Sequence, residues 1–133
     1  MDWEAEISAY YADIVGYGIK DEYIASIDID GLRIARTKDL SDKQTGERYL
    51  GNVIAICTMT TCETGVEPAV DQLINQINEN PLLGDLFKLC GYVELQIHVS
   101  SYGGKLPIPN FGISKEQLSF LKTINADIDV SIM

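Results

Sequence analysis

One histidine, His98, three cysteines, Cys57, Cys62 and Cys90, and twenty carboxylates are the groups that could do chemistry in this 133-residue chain. A single histidine excludes paired-histidine acid–base schemes and His-rich metal sites. His98 can serve as a general base beside a carboxylate such as Glu94 on the same strand face, but nucleophilic catalysis also needs an activated Ser, Cys or Lys within reach. The chain has no Gly-x-Ser-x-Gly elbow. Asp127 and Asp129 stand at i and i+2, roughly 6.5 Å apart along a strand. That separation suits paired-acid glycoside chemistry or a hard cation, yet every strand with alternating acids has it, and a solvated sheet face is the simpler reading.

Two further segments carry suggestive composition. Ser26-Ile27-Asp28-Ile29-Asp30-Gly31 has the acids and glycine of a calcium loop, but its twelfth position is Thr37 where a bidentate Glu is required, so it reads as a charged turn. Tyr102-Gly103-Gly104-Lys105 lacks the spacing of a phosphate-binding loop and has no Ser or Thr after the lysine. Cys57 and Cys62 are five residues apart in a strand-like run, which puts them on opposite faces, and no Cys-x-x-Cys is present. Reduced core cysteines follow. No catalytic residue, metal site or cofactor is expected.

Charge narrows the partners. With 10 Lys+Arg against 20 Asp+Glu the net charge is −10 and the pI about 4.3. That excludes a tracker of nucleic-acid phosphates and disfavours an anionic membrane surface. Residues 1–48 hold 6 bases and 11 acids, residues 49–133 hold 4 and 9, so each part carries −5. The charge belongs to the body of the protein rather than to an acidic tail. The N-terminus is acidic where an export signal is basic, and no apolar run approaches the ~20 residues that cross a bilayer. A cytoplasmic location is expected.

The elements that position these groups are read from periodicity. Residues 3–11 alternate with Trp3, Ala5, Ile7, Ala9 and Tyr11 on one side and Glu4, Glu6, Ser8 and Tyr10 on the other, which predicts a first strand broken by Gly16 and Gly18. A weak helix over residues 20–27 and a turn-rich stretch from Asp28 to Gly51, carrying a minor strand, come next. Residues 52–61 are β-branched and continuous, as in a central strand. Pro68 opens a helix with Val70, Leu73, Ile74 and Ile77 on one side, ended by Asn80-Pro81. A second helix over residues 83–89 closes at Gly91 as a left-handed cap. Tyr92 to Val99 alternates as a half-exposed strand, and residues 101–110 form a Gly- and Pro-rich loop. Ser114 and Gln117 make a capping box for a helix with Leu118, Leu121 and Ile124 as its apolar side, and residues 126–133 form a final strand. The order predicts one domain over residues 1–133, an α+β two-layer sandwich with about four main strands in a mostly antiparallel sheet and helices on one face. A ferredoxin-like arrangement is the first topological expectation.

Aligning the strands gathers Glu4, Glu6, Tyr10, Tyr92, Glu94, His98, Asp127 and Asp129 on the sheet side away from the helices. An acidic face with tyrosine anchors attracts a basic protein and speeds its encounter. The run Ser114-Lys115-Glu116-Gln117-Leu118-Ser119-Phe120-Leu121 into Ala126-Asp127-Ile128-Asp129-Val130-Ser131-Ile132, with the preceding Val93 to Val99 strand and its Gly-Pro loop, resembles the bacterial domain of unknown function forty-two seventy-nine. Small acidic bacterial proteins of this kind resemble immunity proteins, which bind a toxin domain and block its active site. The resemblance thus implies a noncatalytic binding module with a basic partner. The alternative is a small enzyme or ligand-binding domain using a sheet cleft near His98.

Overall fold

The computed structural model describes residues 9–36, 51–58, 65–100 and 112–132. Five strands form one sheet: β1 (Ala9–Ile19), β2 (Arg33–Ala35), β3 (Asn52–Cys57), β4 (Tyr92–Ser100) and β5 (Ala126–Ile132). Their order is β2-β3-β1-β4-β5, antiparallel except for the parallel β4–β5 pair. The helices are α1 (Asp21–Ile24), α2 (Val66–Glu79), α3 (Pro81–Lys88) and α4 (Lys115–Thr123). The fold is α+β, with five strands among the described residues where about four were expected.

Strand directions explain the layering. β3 and β4 are each antiparallel to β1 and so parallel to one another, with β1 between them. The α2–α3 segment crosses over β1, and α4 crosses from β4 to β5. Both crossovers travel the same way across the sheet, and right-handed crossovers in one direction put their helices on one face. The core lies beneath them: Ala12 and Ile14 of β1, Ile54 and Ile56 of β3 and Leu95 and Ile97 of β4 meet Val70, Leu73, Phe87 and Leu121. β3 and β4 alternate buried and half-buried positions, as does β1 from Tyr10 to Ile14, the signature of one covered face.

The topology departs from the ferredoxin-like expectation, whose β-α-β-β-α-β order needs a helical crossover after the first strand. The helix expected over residues 20–27 is the single turn α1, too short to make one. β1 and β3 therefore pair antiparallel, and the chain between them carries the minor strand, β2. The first strand is also displaced. It runs through Gly16 and Gly18 rather than stopping there, while residues 3–8 of the expected strand lie outside the described residues. A register shift falls between Tyr17 and Ile19, where Gly18 takes a φ of 78°, as a bulge requires. Gly16 permits a close approach: a Cβ there would come within 2.5 Å of the Cys90 Sγ.

Two helix details are corrected. Gly91 does not adopt a left-handed conformation; α3 ends in tight turns, with the Leu89 and Cys90 N–H groups donating to the Leu86 and Phe87 carbonyls. Gly91 instead donates its N–H to the Tyr17 carbonyl at 2.9 Å, tying α3 to β1. In α4 the buried side is Gln117, Leu121 and Ile124, and Leu118 is exposed. The Ser114–Gln117 capping box is present as expected.

Candidate functional site

The face of the sheet away from the helices carries its side chains in registered rows. Across β3, β1, β4 and β5 one row reads Ala55, Val15, Glu94, Asp127, and the next reads Cys57, Asp13, Gln96, Asp129. Tyr11, His98 and Ser131 continue to one side, and Val53, Tyr17 and Tyr92 to the other. Val15 is only 9% exposed on this face, enclosed by its neighbours in the row, so the surface has an apolar centre beneath a polar rim.

Two clusters occupy it. In the first, Glu94 accepts from the Tyr92 hydroxyl at 3.0 Å with one oxygen and from the Gln96 amide at 2.9 Å with the other. The Gln96 amide also donates to the Tyr17 hydroxyl at 3.3 Å, and the Tyr17 and Tyr92 rings lie 6.0 Å apart. Glu94 and Asp127 are register partners, and like charges side by side are unfavourable. The Tyr92 hydroxyl moderates this. Desolvation, then the hydrogen bond and charge of Glu94 and those of Asp127, push the Tyr92 phenol above its ordinary value near 10. In the second cluster the His98 imidazole stacks on Tyr11, ring centroids 4.6 Å apart. His98 Nε2 is shielded from solvent and 3.4 Å from Asp13 Oδ2, an ion-pair separation without an aligned hydrogen bond. Arg33 lies 3.9 Å from the other Asp13 oxygen, its side chain largely exposed. A carboxylate beside an imidazole can hold a tautomer and orient a base. Beyond that pairing, the face offers Gln, Tyr and acid groups suited to binding.

Tyr92, Glu94, His98, Asp127 and Asp129 thus share one face. Tyr10 does not: it is 4% exposed in the core, and Tyr11 stands outward in its place. Glu4 and Glu6 lie outside the described residues, as do Cys62 and the loop over residues 101–110. Sequence reasoning missed Asp13, Tyr11, Tyr17 and Arg33. The signal for the first three was the alternation of Ala12 and Ile14 with Asp13 and Val15, which continues past Tyr11 in the phase opposite to that of residues 3–9.

Among the described residues, Arg33 pairs with Asp13, and His98 stands beside the same carboxylate. Glu94, Asp127 and Asp129 have no cationic partner there. No group of three or more His, Cys, Asp or Glu suited to a metal ion occurs among them, and no helix is long and apolar enough to cross a membrane.

A cavity of about 190 Å³ opens at the rim of the face, between Cys90, Tyr92, Ile124, Asn125 and Asp127. Burial pushes the Cys90 thiol up from 9.0 to about 12. Its neutral form is the one the fold favours, so this contribution to stability is whole below pH 9 and is lost as pH rises toward 12. Iodoacetamide labelling of Cys90, followed by peptide mass spectrometry, should therefore quicken about tenfold per pH unit from 7 to 10, since the thiolate is the nucleophile. A plateau near pH 9 would show an ordinary thiol.

Compared with family models, curated proteins and solved structures, the chain matches none.

Proposed function

We propose that this chain is a noncatalytic protein-binding module, an immunity protein that engages a basic toxin domain in the cytoplasm through the open face of its sheet. The observation that carries the reading is the set of carboxylates, Glu94, Asp127 and Asp129, held on that face without cationic partners among the described residues. Around them Tyr11, Tyr17 and Tyr92 offer aromatic area in fixed orientations, and such residues supply much of the energy of protein interfaces. The net charge of −10 adds long-range attraction for a cationic partner.

The test uses a cationic toxin domain encoded next to this chain's reading frame. Asp127→Lys with Asp129→Lys, two exposed positions, and Glu94→Gln should together slow association about tenfold or more at low ionic strength, with the difference shrinking as salt is added. Stopped-flow mixing measures both rates. Equal rates for variant and wild type at low salt would remove the open face from the interface.

A further inference from the structure

The outer edge of β5 differs from an ordinary protected edge. All seven residues from Ala126 to Ile132 pair with β4 in unbroken parallel register, and no strand pairs with the other side among the described residues. Edge strands are commonly blunted by charged side chains, above all lysine, by proline, by a bulge or by short length. Ala126-Asp127-Ile128-Asp129-Val130-Ser131-Ile132 has no lysine, proline or bulge over seven residues, and its only charges are Asp127 and Asp129.

Both faces of this edge are unsatisfied, in different ways. Ile128 and Val130 share the helix side with their register partners Leu95 and Ile97, which are buried, yet they are 41% and 42% exposed. The apolar layer runs out past its helical cover. On the opposite face Asp127 and Asp129 are exposed and lack cations among the described residues. A second copy would be a poor occupant. Any β5–β5 pairing that keeps the two helical layers on one side and is centred between Asp127 and Val130 sets an aspartate opposite or diagonal to the same acids of the other copy, and like charges across a strand pair are destabilising.

We propose that β5 is a docking edge for a strand of a basic partner protein, one that alternates aliphatic residues with Lys or Arg. Its aliphatic residues extend the layer over Ile128 and Val130, its basic residues meet Asp127 and Asp129, and its backbone pairs with the N–H and C=O groups of β5 that point away from β4 and face no strand among the described residues, the strand-addition mode of recognition. This rests on the binding-module reading and adds to it the element that is paired and the pattern of the partner strand.

The probe is an end-capped nine-residue peptide alternating Val and Lys, with an analogue of identical charge N-methylated on alternate backbone amides along either edge. Amide hydrogen exchange of the full chain is followed by NMR at moderate salt. The plain peptide should slow exchange at least tenfold at the alternate amides of residues 126–132 that point away from β4, and at least one of the two methylated analogues should fail to do so at tenfold higher concentration, because one edge of the peptide must carry the ladder. Val130→Lys should weaken the plain peptide about tenfold, and sedimentation should show a monomer. Equal binding of the plain peptide and both methylated analogues, protection confined to β1 and β4, or outward-pointing β5 amides already protected without peptide, by a second copy or by another segment of this chain, would each overturn the docking edge. The binding-module reading fails separately, if the charge-reversed face associates with the cationic domain at an unchanged rate.

Discussion

Phe87→Ala is expected to lower the unfolding free energy by about 3–5 kcal/mol. The ring is fully buried at the end of α3, where the helical layer meets the central strand. Its setting makes collapse around the void difficult. On one side lies Gly16 of β1, which has no side chain to move inward; even a Cβ there would be only 3.0 Å from the Phe87 ring. On another side the ring lines the cavity of about 190 Å³ at the rim of the open face, so its removal joins two spaces rather than letting neighbours close one. Urea unfolding should show a lower midpoint at unchanged m, the mark of a stability change rather than a change in the surface exposed. Phe87→Leu, which keeps most of the volume, should cost less than half as much. A loss below about 1 kcal/mol for Phe87→Ala would mean that the site repacks and that the Gly16 contact is not rigid.

The second large effect concerns a polar residue. Gln117→Leu should destabilise the protein by about 2–4 kcal/mol despite the similar size of the two side chains. Gln117 is buried in the first turn of α4. Its amide nitrogen donates to the Glu67 carbonyl at 2.9 Å and to the Asp71 carboxylate at 2.8 Å, and its oxygen accepts the Ser114 N–H at 3.1 Å. One side chain thus caps its own helix and ties it to the start of α2. Leucine leaves these groups without that partner, and a buried polar group without a hydrogen bond costs more than the bond itself contributes. Thermal unfolding compares Gln117→Leu with Ser114→Ala. The serine variant loses the cap hydroxyl while the link to α2 remains, so its expected loss is nearer 1 kcal/mol. Equal losses would show that capping alone, not the link between helices, sets the cost.

Gln117 also shows where sequence reasoning reaches its limit. The capping box is local, with donor and acceptor three residues apart, and could be read directly. That the same amide would face Asp71, forty-six residues away, depends on helices whose packing no local pattern contains. The buried side of α4 was misjudged for the same reason. Leu118 has the hydropathy of a core residue, but Gln117 turns inward instead, to Glu67 and Asp71 at the start of α2. On the open face, Tyr92, Glu94, His98, Asp127 and Asp129 were legible because β4 and β5 alternate cleanly, and period two assigns a face once one member is placed.

The first strand is the contrary case. A shift of one residue in phase exchanges the two faces of a strand, and the alternation in residues 3–9 has the opposite phase to that in residues 10–15. Only pairing resolved it. With Tyr10 opposite Val99 and Tyr11 opposite His98, Asp13 comes to lie beside His98 and Arg33.

By itself, then, the sequence determined the α+β class, the spans of β4 and β5, the helix that carries Val70, Leu73 and Ile77, though it begins at Val66 rather than at Pro68, the capped helix at Ser114 and the acidic character of the sheet face. Each of these follows from spacing of two to four residues or from composition, and short-range sterics and solvation enforce them wherever the chain folds. Tertiary structure alone decided the central place and phase of β1, the burial of Tyr10, the Asp13–His98 pairing and the uncovered edge at Ile128 and Val130. These depend on which strands become neighbours and how far the helical layer extends, and they are set by packing and hydrogen bonding between segments far apart in the chain.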